Sequence, residues 1–156
     1  MQILTSYFYQ IRFMQPNYIP LSTAVWDPGW FYDYKYQGYQ WKDKNGVWNG
    51  LRAEPFVPGP QCQNLCRGPE YCQTGDPYSC DFLQAYRKQL NQLDIHDIIK
   101  RIYSIGQEIK KVEQFEEEPI VVFIFHEAFT NLCSERWVVR DWFIEYGYEI
   151  KEFNFE

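Results

Sequence analysis

No apolar run in this chain approaches the roughly 18 residues that a membrane-spanning helix needs; the longest is Ile120 to Phe125. The opening residues, Met1-Gln2-Ile3-Leu4-Thr5-Ser6-Tyr7, lack a cationic stretch followed by an apolar one, so they do not read as a signal peptide. That points to a cytoplasmic setting, where clustered cysteines hold metal more often than they form disulfides. Basic residues are also in deficit, with 15 Lys and Arg against 21 Asp and Glu. At a net charge of −6 there is no global electrostatic footprint for DNA or RNA, and a nucleic-acid binder would need a local basic patch. Internal repeats and a separate second domain are missing too.

Aromatic residues are abundant. At 46% hydrophobic and 20% aromatic, the composition excludes a disordered chain, and 156 residues suffice for one domain with a sizeable core. Ile3 to Phe8 reads as a first strand, with Thr5, Ser6 and Tyr7 near its carboxyl end. Residues 10–16 form a connection or a short helical turn. Asn17 to Ser22 reads as a second strand, at a sheet edge because Pro20 cannot donate to a ladder. Too few residues separate these strands for a full crossover helix.

Trp26 to Phe31 forms an aromatic turn, and Tyr32 to Trp48 alternates aromatics with Gly, Asp, Lys and Gln around a hairpin signal at Lys44-Asn45-Gly46. Such a loop either stacks nucleobases or packs its own aromatics down. Cys62, Cys66, Cys72 and Cys80 follow within nineteen residues, among glycines and prolines. The spacing is not that of a standard zinc ribbon. Four thiolates on a turn-rich loop can still close a tetrahedral zinc site; an iron–sulfur cluster, a disulfide pair or free buried cysteines are the alternatives.

Asp81 is the expected N-cap of a helix with Gln84 as capping-box partner, and Asp94 that of a second helix bearing Ile95, Ile98, Ile99, Ile102, Ile105, Ile109 and Val112 at helical spacing. Gly106 is expected to weaken that helix and divide it. His96 falls off the stripe, and Glu113 to Glu118 is a solvated acidic connection.

Residues 119–146 are the stretch around which the chain is organised. Ile120 to Phe125 suits a strand covered on both faces, as in a parallel sheet. His126 and Glu127 stand at its carboxyl end, then a loop to Leu132, then Cys133-Ser134-Glu135-Arg136 and an amphipathic helix from about Trp137, closed by Gly147. Open α/β sheets bind ligands at such strand-to-helix corners. The helix N-terminus and Arg136 are expected to lower the Cys133 pKa and make it a usable nucleophile, with His126 as base and Glu127 beside them. Arg136 can also hold a carboxylate or phosphate bidentately, with Ser134, Glu135, Thr5, Ser6, Tyr7 and Ser22 lining the pocket. This is not a protein-phosphatase loop, because Val139 stands where that chemistry needs arginine. A purely structural Cys133, with Arg136 paired to Glu127 or Glu135, is the competing arrangement. Glu149 to Phe155 reads as a last edge strand. The element order predicts a single α/β layered domain, its mainly parallel sheet flanked by helices, with an aromatic- and cysteine-rich insertion at about 26–80.

These residues resemble the domain-of-unknown-function 488 family, including its phage and bacterial members. The resemblance rests on Ile3-Leu4-Thr5-Ser6-Tyr7-Phe8, on Ile19-Pro20-Leu21-Ser22 before an aromatic turn, and on Leu93-Asp94 before the long helix. It rests also on the closing strand with Glu127, Cys133, Arg136 and Asp141-Trp142. The family's first cysteine is His126 here, and its Cys-His-Arg triplet appears as Ser134-Glu135-Arg136 or as Cys133-x-x-Arg136. The resemblance implies an α/β fold and a pocket at this corner, without a settled activity. A nucleotide or nucleic-acid end, hydrolysed or transferred if the protein is an enzyme, is the expected ligand. The rival expectation is a non-enzymatic, metal-stabilised module that binds or inhibits a protein partner.

Overall fold

The computed structural model describes residues 1–33, 52–66, 79–127 and 133–155. Four strands, β1 (Gln2–Tyr7), β2 (Tyr18–Ser22), β3 (Ile120–Phe125) and β4 (Lys151–Glu152), form one sheet in the order β2-β3-β1-β4. All three pairings are parallel, so this is a single α/β domain of the expected kind. Val121, Val122, Phe123, Ile124 and Phe125 are all buried, as a strand covered on both faces requires. Pro20 lies on the edge strand β2, where its missing donor costs no ladder bond. Beyond it, among the described residues, the edge carries only the isolated bridge Ser22–Arg52. β1 and β2 both run parallel to β3 on either side of it, so their short link makes the crossover with the 3-10 turn Phe8–Phe13 in place of a full helix.

The helices are α1 (Pro60–Gln63), α2 (Asp81–Leu90), α3 (Ile95–Glu113) and α4 (Glu135–Glu145). On α3 the predicted Ile95, Ile98, Ile102, Ile105 and Ile109 are buried, whereas Ile99 is half-buried at the edge of the stripe and Val112 is exposed near the helix end; Asp94 caps the helix by accepting from the amides of His96 and Asp97. His96 is exposed as expected. Three boundaries differ. Gly106 does not divide α3; it lies against the chain start, where a Cβ would stand 2.9 Å from Met1 Sδ and 3.2 Å from Pro119 Cβ. Asp81 is the first helical residue of α2 rather than its cap, and Cys80 occupies the cap position without a side-chain bond. Asp81 therefore acts on the helix dipole instead. The last strand shrinks to Lys151–Glu152, because side chains of β1 and its following turn take over the bonding: Ser6 Oγ donates to Phe153 O at 2.7 Å and Gln10 Nε2 to Asn154 Oδ1 at 3.0 Å.

The core between sheet and helices is aromatic. Phe56 meets Phe123 at 4.7 Å between ring centroids and Trp142 at 6.0 Å, while Tyr86 donates to Phe56 O at 2.6 Å. The Gln89 amide fastens the preceding loop to α2, donating to Pro55 O and Val57 O and accepting from Gly59 N and Cys62 Sγ. Trp30 and Phe31 of the expected aromatic turn pack edge-on against Phe8. The hairpin signal at 44–46 and the aromatics Tyr34 to Trp48 lie outside the described residues.

Candidate functional site at the carboxyl edge of the sheet

β1 and β3 end side by side at Tyr7 and Phe125, and α4 begins at the same edge. The helix starts at Glu135, two residues earlier than its apolar pattern suggests, because Ser134 is a good N-cap: its Oγ accepts from Arg136 N at 3.3 Å. The same hydroxyl donates to Glu127 Oε2 at 3.2 Å, which ties the residue after β3 to the helix start.

This earlier start turns Arg136 inward. Its side chain is fully buried, and Nη2 donates to the carbonyls of Ser6 and Glu127. Nη1 stands 3.3 Å from Glu152 Oε2, while Thr5 Oγ1 donates to Glu152 Oε1 at 2.8 Å. The rings of Tyr7 and Phe125 lie 5.8 and 5.6 Å from the guanidinium carbon. Burial lowers the Arg136 pKa, and the charges of Glu152, Glu127, Tyr7 and Glu135 resist that change. Burial likewise raises Glu152, against the pull of Arg136, the Thr5 hydrogen bond and Arg140. Arg136 Nε and Nη1 and Glu152 Oε2 have no directed hydrogen-bond partner among the described residues, so the Arg136–Glu152 contact is electrostatic.

Glu135 and Glu127 form a hydrogen-bonded carboxyl pair. Burial first, and then the negative charge of Glu127, pushes the Glu135 pKa up to about 8. Its own backbone N–H and Arg136 pull the other way without winning. Two carboxyls this close share one proton, since both cannot ionise cheaply in a poorly solvated place. The field of Glu135 also reaches Cys62 and Tyr86, whose pKa values are raised chiefly by burial.

The structure thus brings Thr5, Ser6, Tyr7, Glu127, Ser134, Glu135 and Arg136 together. Ser22 bonds elsewhere: its hydroxyl donates to Asp27, which pairs with Arg52 at 2.7 Å at the end of β2. His126 is exposed and packs its ring 5.3 Å from that of Phe8, and Cys133 is half-buried just before the Ser134 cap. The Arg136 charge expected beside Cys133 faces Glu152 instead. Sequence reasoning missed Glu152, which lies far from Thr5 and Arg136 along the chain. One signal for a buried partner was available: Arg136 shares the helical spacing of Val139 and Phe143, both fully buried.

The cysteines fit a metal less well than their spacing suggests. Cys62 is fully buried, its thiol donates to Gln89 Oε1 at 3.5 Å, and burial raises its pKa, all of which favour the neutral thiol over a thiolate ligand. Cys66 is exposed, Cys80 is half-buried, and Cys72 lies outside the described residues. Cys62, Cys66, Cys80 and Cys133 form no disulfide, and no group of three metal-ligating side chains occurs among the described residues. No family model matches this chain, and no curated protein or solved structure shows significant similarity to it.

Proposed function

We propose that the carboxyl edge of the sheet binds a ligand and moves a proton on it, with Glu135 carrying the proton and Glu127 as its partner. The Glu127–Glu135 pair, with the Glu135 pKa near 8, is the observation that carries this reading. A carboxyl that keeps its proton at neutral pH is a general acid, and Glu127 is the neighbour hydrogen-bonded to it. Hydrolysis or transfer at a nucleotide or nucleic-acid end is the reaction class we retain, because the leaving oxygen of such a substrate needs a proton. Arg136 is a positioning residue, holding Glu127 by its carbonyl and Glu152 by charge. With one shared proton on the pair and Glu152 facing Arg136, the corner is net negative. The ligand's anionic group therefore sits beyond the pair, not on Arg136.

Membership in the 488 family, in its phage and bacterial branch, belongs to the same proposal and is supported by the strand endings, Cys133 and Arg136. So does a cytoplasmic setting, supported by the lack of a disulfide at Cys62, Cys66 and Cys80 among the described residues. Zinc, or an iron–sulfur cluster, at Cys62, Cys66, Cys72 and Cys80 is supported by their clustering alone, and no chemical step is assigned to it.

The test is a carbon-13 NMR titration of the Glu135 carboxyl, combined with a turnover screen on nucleotides. A midpoint near 8 that drops in Glu127→Gln, with turnover abolished in Glu135→Gln, is expected. A midpoint in the ordinary range, about 4.3, removes the reading. The protein-binding or inhibitor alternative rests on Trp26 and Trp30, which are 79% and 48% exposed. It predicts a captured partner lost in Trp26→Ala and untouched by Glu135→Gln.

A further inference from the structure

A groove of about 350 Å³ runs between α2 and α4, lined by Leu83, Gln84, Arg87, Lys88, Trp137, Val138 and Asp141. The spacing explains it. Residues 83, 84, 87 and 88 form one face of α2, and 137, 138 and 141 form the facing strip of α4, each one helical turn long. Leu83 is a buried floor, while Val138 and Trp137 are half-buried walls. Two cations meet one carboxylate here, on a chain whose net charge is −6. Arg87 is held by Glu145 and Asn91, and Asp141 is engaged within the protein. Exposed Lys88 makes no ion pair among the described residues. Arg140 adds a further cation beside the same wall, its guanidinium carbon 5.1 Å from the Trp137 ring centre.

We infer that this groove is a second binding site, for a small organic anion with an aromatic or short acyl body and a carboxylate head. The body lies on Leu83, Val138 and Trp137, and the head meets Lys88. A volume of about 350 Å³ stands at the lower end of ligand pockets, which suits one ring with a short acid arm. It is short for a partner's helix, which needs anchors over several turns. Lys88, the lining cation that makes no ion pair among the described residues, selects the acid over a neutral or cationic analogue of the same shape.

Phenylacetate, phenethylamine and benzyl alcohol are suitable probes, read on the full chain by the indole N–H resonance of Trp137, assigned through Trp137→Phe. Phenylacetate is expected to give a saturable shift with a millimolar Kd, the range for a ligand of about ten non-hydrogen atoms. Lys88→Glu, on the exposed rim, should weaken phenylacetate at least about tenfold and improve phenethylamine. Val138→Trp should fill the groove and abolish both, with circular dichroism confirming that each variant is folded. Four outcomes overturn the inference: no saturable shift up to about 20 mM phenylacetate; equal binding of acid and amine; indifference to Lys88→Glu; or binding of an acidic amphipathic peptide where the small acids fail. The groove lining includes neither Glu127 nor Glu135, so phenylacetate binding read at Trp137 and the Glu135 titration are separate readouts, and the two sites stand or fall separately.

Discussion

Replacing Glu135 by glutamine should make the protein more stable at alkaline pH, and the sign follows from its carboxyl pair. In the fold Glu135 binds its proton up to about pH 8, against an ordinary value of 4.5. Between those values the native state holds more protons than the unfolded chain, so stability falls as pH rises. Below 4.5 both states are protonated and nothing is lost; above 8 the penalty is complete. Each tenfold change in proton affinity is worth about 1.4 kcal/mol, which puts the full penalty at about 5 kcal/mol. Glu135 is only half-buried as a residue, and water reaching its carboxylate trims that to about 2–3 kcal/mol. Glutamine keeps the shape and a hydrogen bond to Glu127 and has no proton to lose. Urea unfolding of both proteins at several pH values gives the difference between them, in which every other titrating group cancels. The variant should gain about 2–3 kcal/mol relative to wild type between about pH 5 and pH 9, with most of the gain in place by neutrality. A difference that stays flat with pH would refute the shared-proton arrangement.

Arg136→Met should cost about 3–5 kcal/mol by urea unfolding, because it leaves Glu152 facing an apolar side chain and strips a donor from Ser6 O and Glu127 O; a loss under 1 kcal/mol, the scale of a surface pair, would contradict the burial of this contact. Gln89→Ala should cost about 2–3 kcal/mol, since the amide makes two donor and two acceptor contacts to residues 55–62. The same change should speed labelling of Cys62 by a thiol reagent, and an unchanged rate would show that Gln89 does not guard it. Elemental analysis of the purified protein should find about one metal equivalent per chain if the four cysteines hold zinc. Less than about half an equivalent of any metal ends that proposal.

How far the sequence announces this arrangement depends on the range of the interaction. Six consecutive apolar residues at Ile120–Phe125 mark a strand buried on both faces, Pro20 marks an edge, and Asp94 and Gly147 mark helix ends. All are cues acting within a few residues, and all agree with the fold. The outer helix boundaries slip where two local signals compete. The apolar stripe of α4 suggests a start at Trp137, but the Ser134 hydroxyl supplies the first turn with an acceptor and moves the start to Glu135.

That slip decides how the corner is read. A helix beginning at Trp137 leaves Arg136 on the connecting loop, free to bind an anion and to lower the pKa of Cys133. A helix beginning at Glu135 carries Arg136 into the core with Val139 and Phe143, where a guanidinium must find an opposite charge. The charge it finds is Glu152, brought alongside Thr5 only because the chain's last segment pairs with its first strand. No local pattern records that pairing. It leaves Glu127 and Glu135 to settle their proton between themselves, since the cation that might have ionised both is already faced by Glu152. The proton held on Glu135 at neutral pH follows first from burial and then from the charge of Glu127, and the contact between Arg136 and Glu152 bears on it only through the cation's opposing pull. Weakening that contact should lower the Glu135 pKa: in Glu152→Gln the arginine's field is released toward the pair, and the Glu135 titration should move down from about 8. A midpoint that stays in place would mean that burial and Glu127 set it without help from Glu152.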